Sequence, residues 1–176
     1  ILSDMHMEFG SWDFEPLADT FYLCAGDIHS DRQALKKFTD KHKDHMFFVR
    51  GNHDFYHDPN PFELSYQPVK IREHDGLLIA GATLWTDLTY PFDWHLYRHG
   101  LADWSWIQMT QEQYNEIHYQ HLKQLMRSEA DIIVTHHCPT LKSIAPEYAN
   151  SNLNMCFSND LEQAILNMKK PPKLWV

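Results

Sequence analysis

At 176 residues the chain suits one domain with a sizeable core, since domains of roughly 100–150 residues are the commonest, and no apolar run approaches the roughly 20 residues a membrane span requires. A formal charge of -9 with neutral histidines argues against wrapping a long nucleic-acid backbone, which calls for a basic stripe, but leaves room for a small phosphate ester, because divalent cations reverse the local potential where acidic side chains gather. Cys24, Cys138 and Cys156 are odd in number and lack ligand spacing, which reads as reduced thiols in a cytoplasmic protein.

Ile1 to Ser3 reads as the end of a strand, after which Asp4 and His6 share a side if the backbone stays extended. A loop over 7–19 leads to a buried strand at Thr20 to Ala25, apolar almost throughout as parallel strands covered on both faces are. Asp31 caps a helix running to Lys43, with Leu35 and Phe38 inward. The strand Met46 to Arg50 completes a right-handed βαβ unit, and a proline-rich loop follows over 55–68. Val69 to His74 and Leu77 to Trp85 form a hairpin across Asp75-Gly76. Residues 86–108 are an aromatic-rich insertion without periodicity, read either as a packing lid or as a recognition surface along the substrate approach. Gln111 to Arg127 is the longest helix, its stripe built from Tyr114, Ile117, His121, Leu122 and Leu125. Asp131 to Thr135 is a buried strand. An irregular stretch over 139–157 holds at most one helical turn, Ser158 caps a helix from Asn159 to Met168, and Leu174 to Val176 begins another strand.

Four of the apolar runs end in the same kind of residue. Val49-Arg50-Gly51-Asn52-His53-Asp54, Ser3-Asp4-Met5-His6, Ala25-Gly26-Asp27 and Thr135-His136-His137 each place carboxylate, imidazole or amide at a strand end, where open α/β sheets carry their chemistry. Gly51 permits a turn that a Cβ would resist, aiming Asn52 and His53 back over the sheet edge. A lone Asp after a strand more often caps a helix or turn. The repetition instead gathers hard and borderline metal ligands at the carboxyl edge of a sheet. His137 reads as a structural neighbour, and His42, His118, His121 and the other motif-free histidines read mostly as solvated or helix-face residues.

The ordered set Asp4-x-His6, Gly26-Asp27, Gly51-Asn52-His53-Asp54 and Thr135-His136-His137-Cys138-Pro139 resembles the calcineurin-like metallophosphoesterases over residues 1 to 139, and Gly81-Ala82-Thr83-Leu84-Trp85-Thr86-Asp87 looks like a bacterial branch of them. The resemblance implies a single domain over 1–176 with a four-layer α/β/β/α sandwich. It implies two divalent metal ions, manganese, iron or zinc, with Asp4 and His6 on the first, Asn52 and His136 on the second and Asp27 bridging. It also implies hydrolysis of phosphomonoesters or phosphodiesters by a metal-bound hydroxide. His53 matches the family's catalytic histidine, Asp54 is the candidate orienter of its ring, and His29 is a candidate substrate contact. A nuclease of the same family, or a non-catalytic scaffold with a degenerate metal site, are the alternatives. The partner expected is a small phosphate ester, with no membrane and with the oligomeric state open. The family's closing Gly-His-x-His is not in the sequence, and the chain starts and stops inside strands, so the native polypeptide is expected to continue past Val176 and supply it.

Overall fold

A computed structural model describes residues 1–10, 12–89 and 94–176, the side chains of 94–96 excepted. Two sheets form. β1 (Tyr22–Cys24) and β2 (Met46–Phe48) pair in parallel, with Leu2 bridged in parallel to Cys24. The second sheet has the order β3-β4-β5-β6. In it β3 (Lys70–His74) is antiparallel to β4 (Leu77–Ala82), while β5 (Ile132–Thr135) and β6 (Leu174–Trp175) run parallel to β4 and to each other.

The alternation of side chains along these strands builds the layers, because successive residues face opposite sides of a sheet. Leu23, Phe47 and Val49 meet Ile79 and Val134 in one cluster between the sheets. Their sequence neighbours Cys24 and Met46 turn the other way, onto Leu35 and Phe38 of α1 (Arg32–His42). Ala80 and Ile133 likewise turn outward onto Leu125 of α5 (Gln111–Arg127). The order is therefore helix, sheet, sheet, helix, the four-layer arrangement the sequence implied. At Gly81 the sheets come so close that a Cβ would lie 2.6 Å from Val49 Cγ1 and 2.7 Å from Phe47 Cε1. Only glycine fits that position in the strand.

Local chemistry explains most element boundaries. Asp31 accepts from Ala34 N–H and starts α1. Thr110 and Gln113 form a capping box at the start of α5. Asp75 and Gly76 both adopt positive φ, 49° and 74°, the left-handed pair that matches the twist of a two-residue hairpin. Three expectations fail. The 55–68 loop contains α2 (Pro61–Ser65), started by a proline whose missing N–H costs nothing at that position. The insertion contains α3 (Trp94–Gly100) and α4 (Asp103–Trp106). Ser158 does not cap the last helix: its backbone pairs with Cys138 as an isolated bridge, and the helix begins only at Glu162 and ends at Leu166. An earlier single turn, Asn154–Phe157, buries Cys156 instead.

Three of the histidines read as solvated or helix-face residues are buried, His121 on the stripe expected of it. His42 is enclosed on α1, and His118 and His121 lie on the inner face of α5. His118 Nδ1 is 2.6 Å from Trp85 O and His121 Nε2 3.1 Å from Gln67 O, so two helical imidazoles tie down the loops that follow β4 and α2. Among the described residues no helix is long and apolar enough to cross a membrane. All three cysteines are unpaired.

Candidate metal centre

Four chain segments deliver the site at the carboxyl ends of parallel strands. Asp4 and His6 do not follow an extended strand: both adopt positive φ, 51° and 42°. The cause is a second set of hydrogen bonds, from Asp4 N–H to Gly26 O and from His6 N–H to Asp27 O, which curls residues 4–6 over the Gly26-Asp27 turn. Asp27 is itself left-handed at φ 54°. Such conformations cost of order 1–3 kcal/mol each and persist where surrounding structure imposes them.

Gly51 is needed for a reason other than turning. A Cβ there would collide with Asp27 Oδ1 and lie 2.6 Å from the Asp27 backbone N, so glycine lets the two turns interlock. The buried carboxylate of Asp54 fastens that interlock. Its Oδ2 accepts from Gly51 N–H at 2.9 Å and Asp27 N–H at 3.0 Å, and its Oδ1 from Ile28 N–H at 2.8 Å and His29 N–H at 3.0 Å. Both oxygens thus serve backbone amides rather than the His53 ring, which corrects the orienting role expected of Asp54.

Asp27 divides its oxygens. Oδ2 lies 3.7 Å from His6 Nε2, which is 3.9 Å from Asp4 Oδ1. Oδ1 lies 3.6 Å from His136 Nε2, which is 2.8 Å from Asn52 Oδ1. Asp4, His6 and Asp27 bring one ligand atom each within 4.8 Å of one another. Burial, reinforced by the charge of Asp54, pushes the Asp27 carboxyl up from its usual range.

Hydrogen bonding supports a cation at the second set. His136 Nδ1 is 2.8 Å from Ala25 O and must carry a proton to donate there. Asn52 Nδ2 donates to Asp103 Oδ1 at 2.8 Å, which leaves its Oδ1 as an acceptor. A neutral His136 therefore turns a lone pair on Nε2 toward a second acceptor 2.8 Å away, and two acceptors at that distance need a proton or a cation between them. Carboxylate, imidazole and amide oxygen suit manganese, iron or zinc.

Sequence reasoning missed three residues. Glu8, in the expected loop, sets Oε1 3.2 Å from His6 Nδ1 and 3.1 Å from His53 Nδ1. Although burial opposes it, bonds from its own backbone N–H, His6 and His53 hold Glu8 below the usual carboxylate range. Its Oε2 is buried without a partner. Asp103 on α4 is buried and holds Asn52, and Tyr56 OH donates to the same Oδ1 at 2.5 Å. Glu8 lies two residues beyond His6, an alternation that could have flagged it. Asp103 comes from a remote insertion and carried no such signal. His53 stacks on Tyr56 at 4.3 Å and meets His6 edge-on at 4.4 Å. His29 Nδ1 accepts from Asp31 N–H at 2.8 Å. His137 is fully enclosed, pushed down to about 3 by burial and by His136.

A family model for calcineurin-like phosphoesterases matches residues 1–168. The chain belongs to the calcineurin-like phosphoesterase family. No curated protein and no solved structure matches it. Membership makes it a hydrolase of phosphoesters in general, dependent on metal, and two groups able to hold a cation lie among the described residues, Asp4 with His6 and Asp27 and His6 with Glu8 and His53.

Proposed function

We propose that this single domain hydrolyses small phosphomonoesters or phosphodiesters at a dinuclear centre, with Asp4 and His6 on one ion, Asn52 and His136 on the other and Asp27 shared. The observation that carries the reading is the division of Asp27, one oxygen toward His6 at 3.7 Å and the other toward His136 at 3.6 Å. When bound, two divalent ions, manganese, iron or zinc, supply Lewis acidity to a phosphoryl oxygen and acidify water near neutral pH.

The chain's own residues do the rest. Asp103 holds the Asn52 amide with its oxygen inward, and Ala25 O fixes the His136 tautomer so that Nε2 is the ligating nitrogen. Glu8 accepts from His53 Nδ1 and leaves Nε2 to give a proton to the departing ester oxygen. His29 is carried as a substrate contact beside it. The insertion meets His53 through stacked rings, His53 on Tyr56 at 4.3 Å and Tyr56 on Trp106 at 6.3 Å, and Trp106 is 47% exposed. Trp106 is thus read along the substrate approach, Trp104 packs against Tyr97 at 6.0 Å, and Trp94 falls outside the described side chains. The acidic balance supports a small substrate over long nucleic acid, and the unpaired thiols support the reducing cytoplasm.

The test is hydrolysis of p-nitrophenyl phosphate and of bis(p-nitrophenyl) phosphate with each metal, alongside metal analysis. Two ions per chain and activity abolished in Asp27→Asn are expected. Full activity after exhaustive chelation would overturn the reading. Competition by single-stranded DNA that weakens with salt would move it to the nuclease alternative.

A further inference from the structure

A cavity of about 310 Å³ lies between α1, the end of β2, the α2–β3 connection and β4, and none of the proposed metal ligands lines it. It sits at the small end of the roughly 300–1,000 Å³ of ligand pockets. Its charged lining is Arg32, Lys36, Arg50 and Lys70, with no Asp or Glu, in a chain of net charge -9. Two of the cations are engaged elsewhere, Arg32 with Asp58 at 3.8 Å and Lys36 with Asp40 at 2.5 Å. Among the described residues Arg50 and Lys70 have no ion pair.

Both unpaired cations rest on aromatic rings. Lys70 is an exposed residue whose Nζ lies 3.4 Å from the Phe48 ring centre and donates to Phe48 O at 2.9 Å. The Arg50 guanidinium lies 5.7 Å from the centre of the Phe55 ring. Burial and the neighbouring Arg50 hold the Lys70 ammonium down at about 8. Asp54 acts on both cations and Asp58 on Arg50. Asp54, however, turns its oxygens to four backbone amides, and Asp58 faces Arg32. Ser65, another lining residue, buries an Oγ without a hydrogen-bond partner. Two like charges and an unanswered hydroxyl around an apolar space favour an anionic guest, whose head relieves their repulsion while its body covers the apolar wall.

We propose that this cavity binds a small organic anion, a phosphate, phosphonate or carboxylate head on a compact apolar body, with Arg50 and Lys70 on the head and Phe55 and Leu64 against the body. The proposal does not rest on the hydrolytic reading, since the cavity and the metal centre share no side chain.

The test uses the full chain after chelation, so that no metal competes for the probe, and phenylphosphonate, whose carbon–phosphorus bond is not hydrolysed. Acetylation of Lys70 by acetic anhydride at pH 8, read by mass spectrometry, should slow at least fivefold with saturating phenylphosphonate and less with equal inorganic phosphate. Exposed Lys123 should be unaffected. In an Arg50→Met, Lys70→Met double variant the phenylphosphonate Kd should rise at least tenfold. Should that variant fail to fold, protection of Lys70 in the unmodified chain decides alone. No protection of Lys70 would overturn the proposal and leave its charge, with that of Arg50, as a counterweight to Asp54. Equal protection by inorganic phosphate would remove the apolar body from it.

Discussion

Two buried carboxylates from interlocked turns do opposite work. Asp27, on the metal face, turns its oxygens to imidazoles of different segments. Asp54, in the knot behind that face, turns both of its oxygens to backbone N–H groups of two turns. Burial pushes both acids up from their ordinary range, Asp27 further through the charge of Asp54, while the amides oppose the rise at Asp54. The difference teaches that burial and titration do not separate a ligand from a fastener. What separates them is that the partners of Asp54 are all backbone amides, whereas Asp27, beside the His53 N–H that its Oδ1 accepts at 2.9 Å, faces imidazoles that a cation can link to it.

The comparison breaks first at Asp27. Asp27→Asn should lower turnover by at least about a thousandfold and reduce metal content at both positions, with the melting temperature of the chelated protein little changed; metal analysis and a melt check this. Asp54→Ala should do the reverse. Four N–H groups lose an acceptor, and each hydrogen bond to a charged group is worth about 1.5–3 kcal/mol. A loss of roughly 3–5 kcal/mol in urea unfolding is therefore expected once relaxation and water are allowed for. Retained stability in Asp54→Ala would put Asp54 back beside His53 as a chemical residue.

Glu8 sharpens the contrast, because its Oε1 lies against two imidazoles of the site, 3.2 Å from His6 Nδ1 and 3.1 Å from His53 Nδ1. Glu8→Gln should cut kcat about tenfold while leaving metal content and stability near those of the parent. A variant lacking metal would instead make Glu8 a ligand support through His6. The smallest effect is expected at Asp131, a largely buried fastener just before β5. Leu78 N–H first, then Lys173 and Lys170, hold its carboxyl at about 2, below the usual 3.8. Its folded pKa is depressed, so its contribution is fully present above 3.8 and is lost as pH falls through about 2. Unfolding curves of Asp131→Asn should show a modest deficit at neutral pH that closes over that window.

The order of strands and helices was legible because each depends on local pattern. The apolar run at Met46 to Val49, the Asp75-Gly76 turn and the cap at Asp31 are written within a few residues of where they act. The convergence of Asp4, His6, Asp27, Asn52 and His136 was legible for a related reason: each follows a strand end, and strand ends converge. The short helices at 61–65 and 94–106 were not, since neither is long enough to show a period. Ser158 misled because a serine before an apolar run looks like a cap until Cys138 pairs with its backbone.

By itself the sequence determined the family, the strand ends that carry the metal centre and the residue types that suit it, because those follow from short-range periodicity and motif spacing. Only the tertiary structure decided what each carboxylate does. It turned Asp54 to backbone amides, brought Glu8 against His6 and His53, and carried Asp103 fifty-one residues along the chain to Asn52. Hydrogen-bond partners are chosen by distance and angle in space, and no pattern along a chain encodes which of several buried acids will find an amide, an imidazole or a cation.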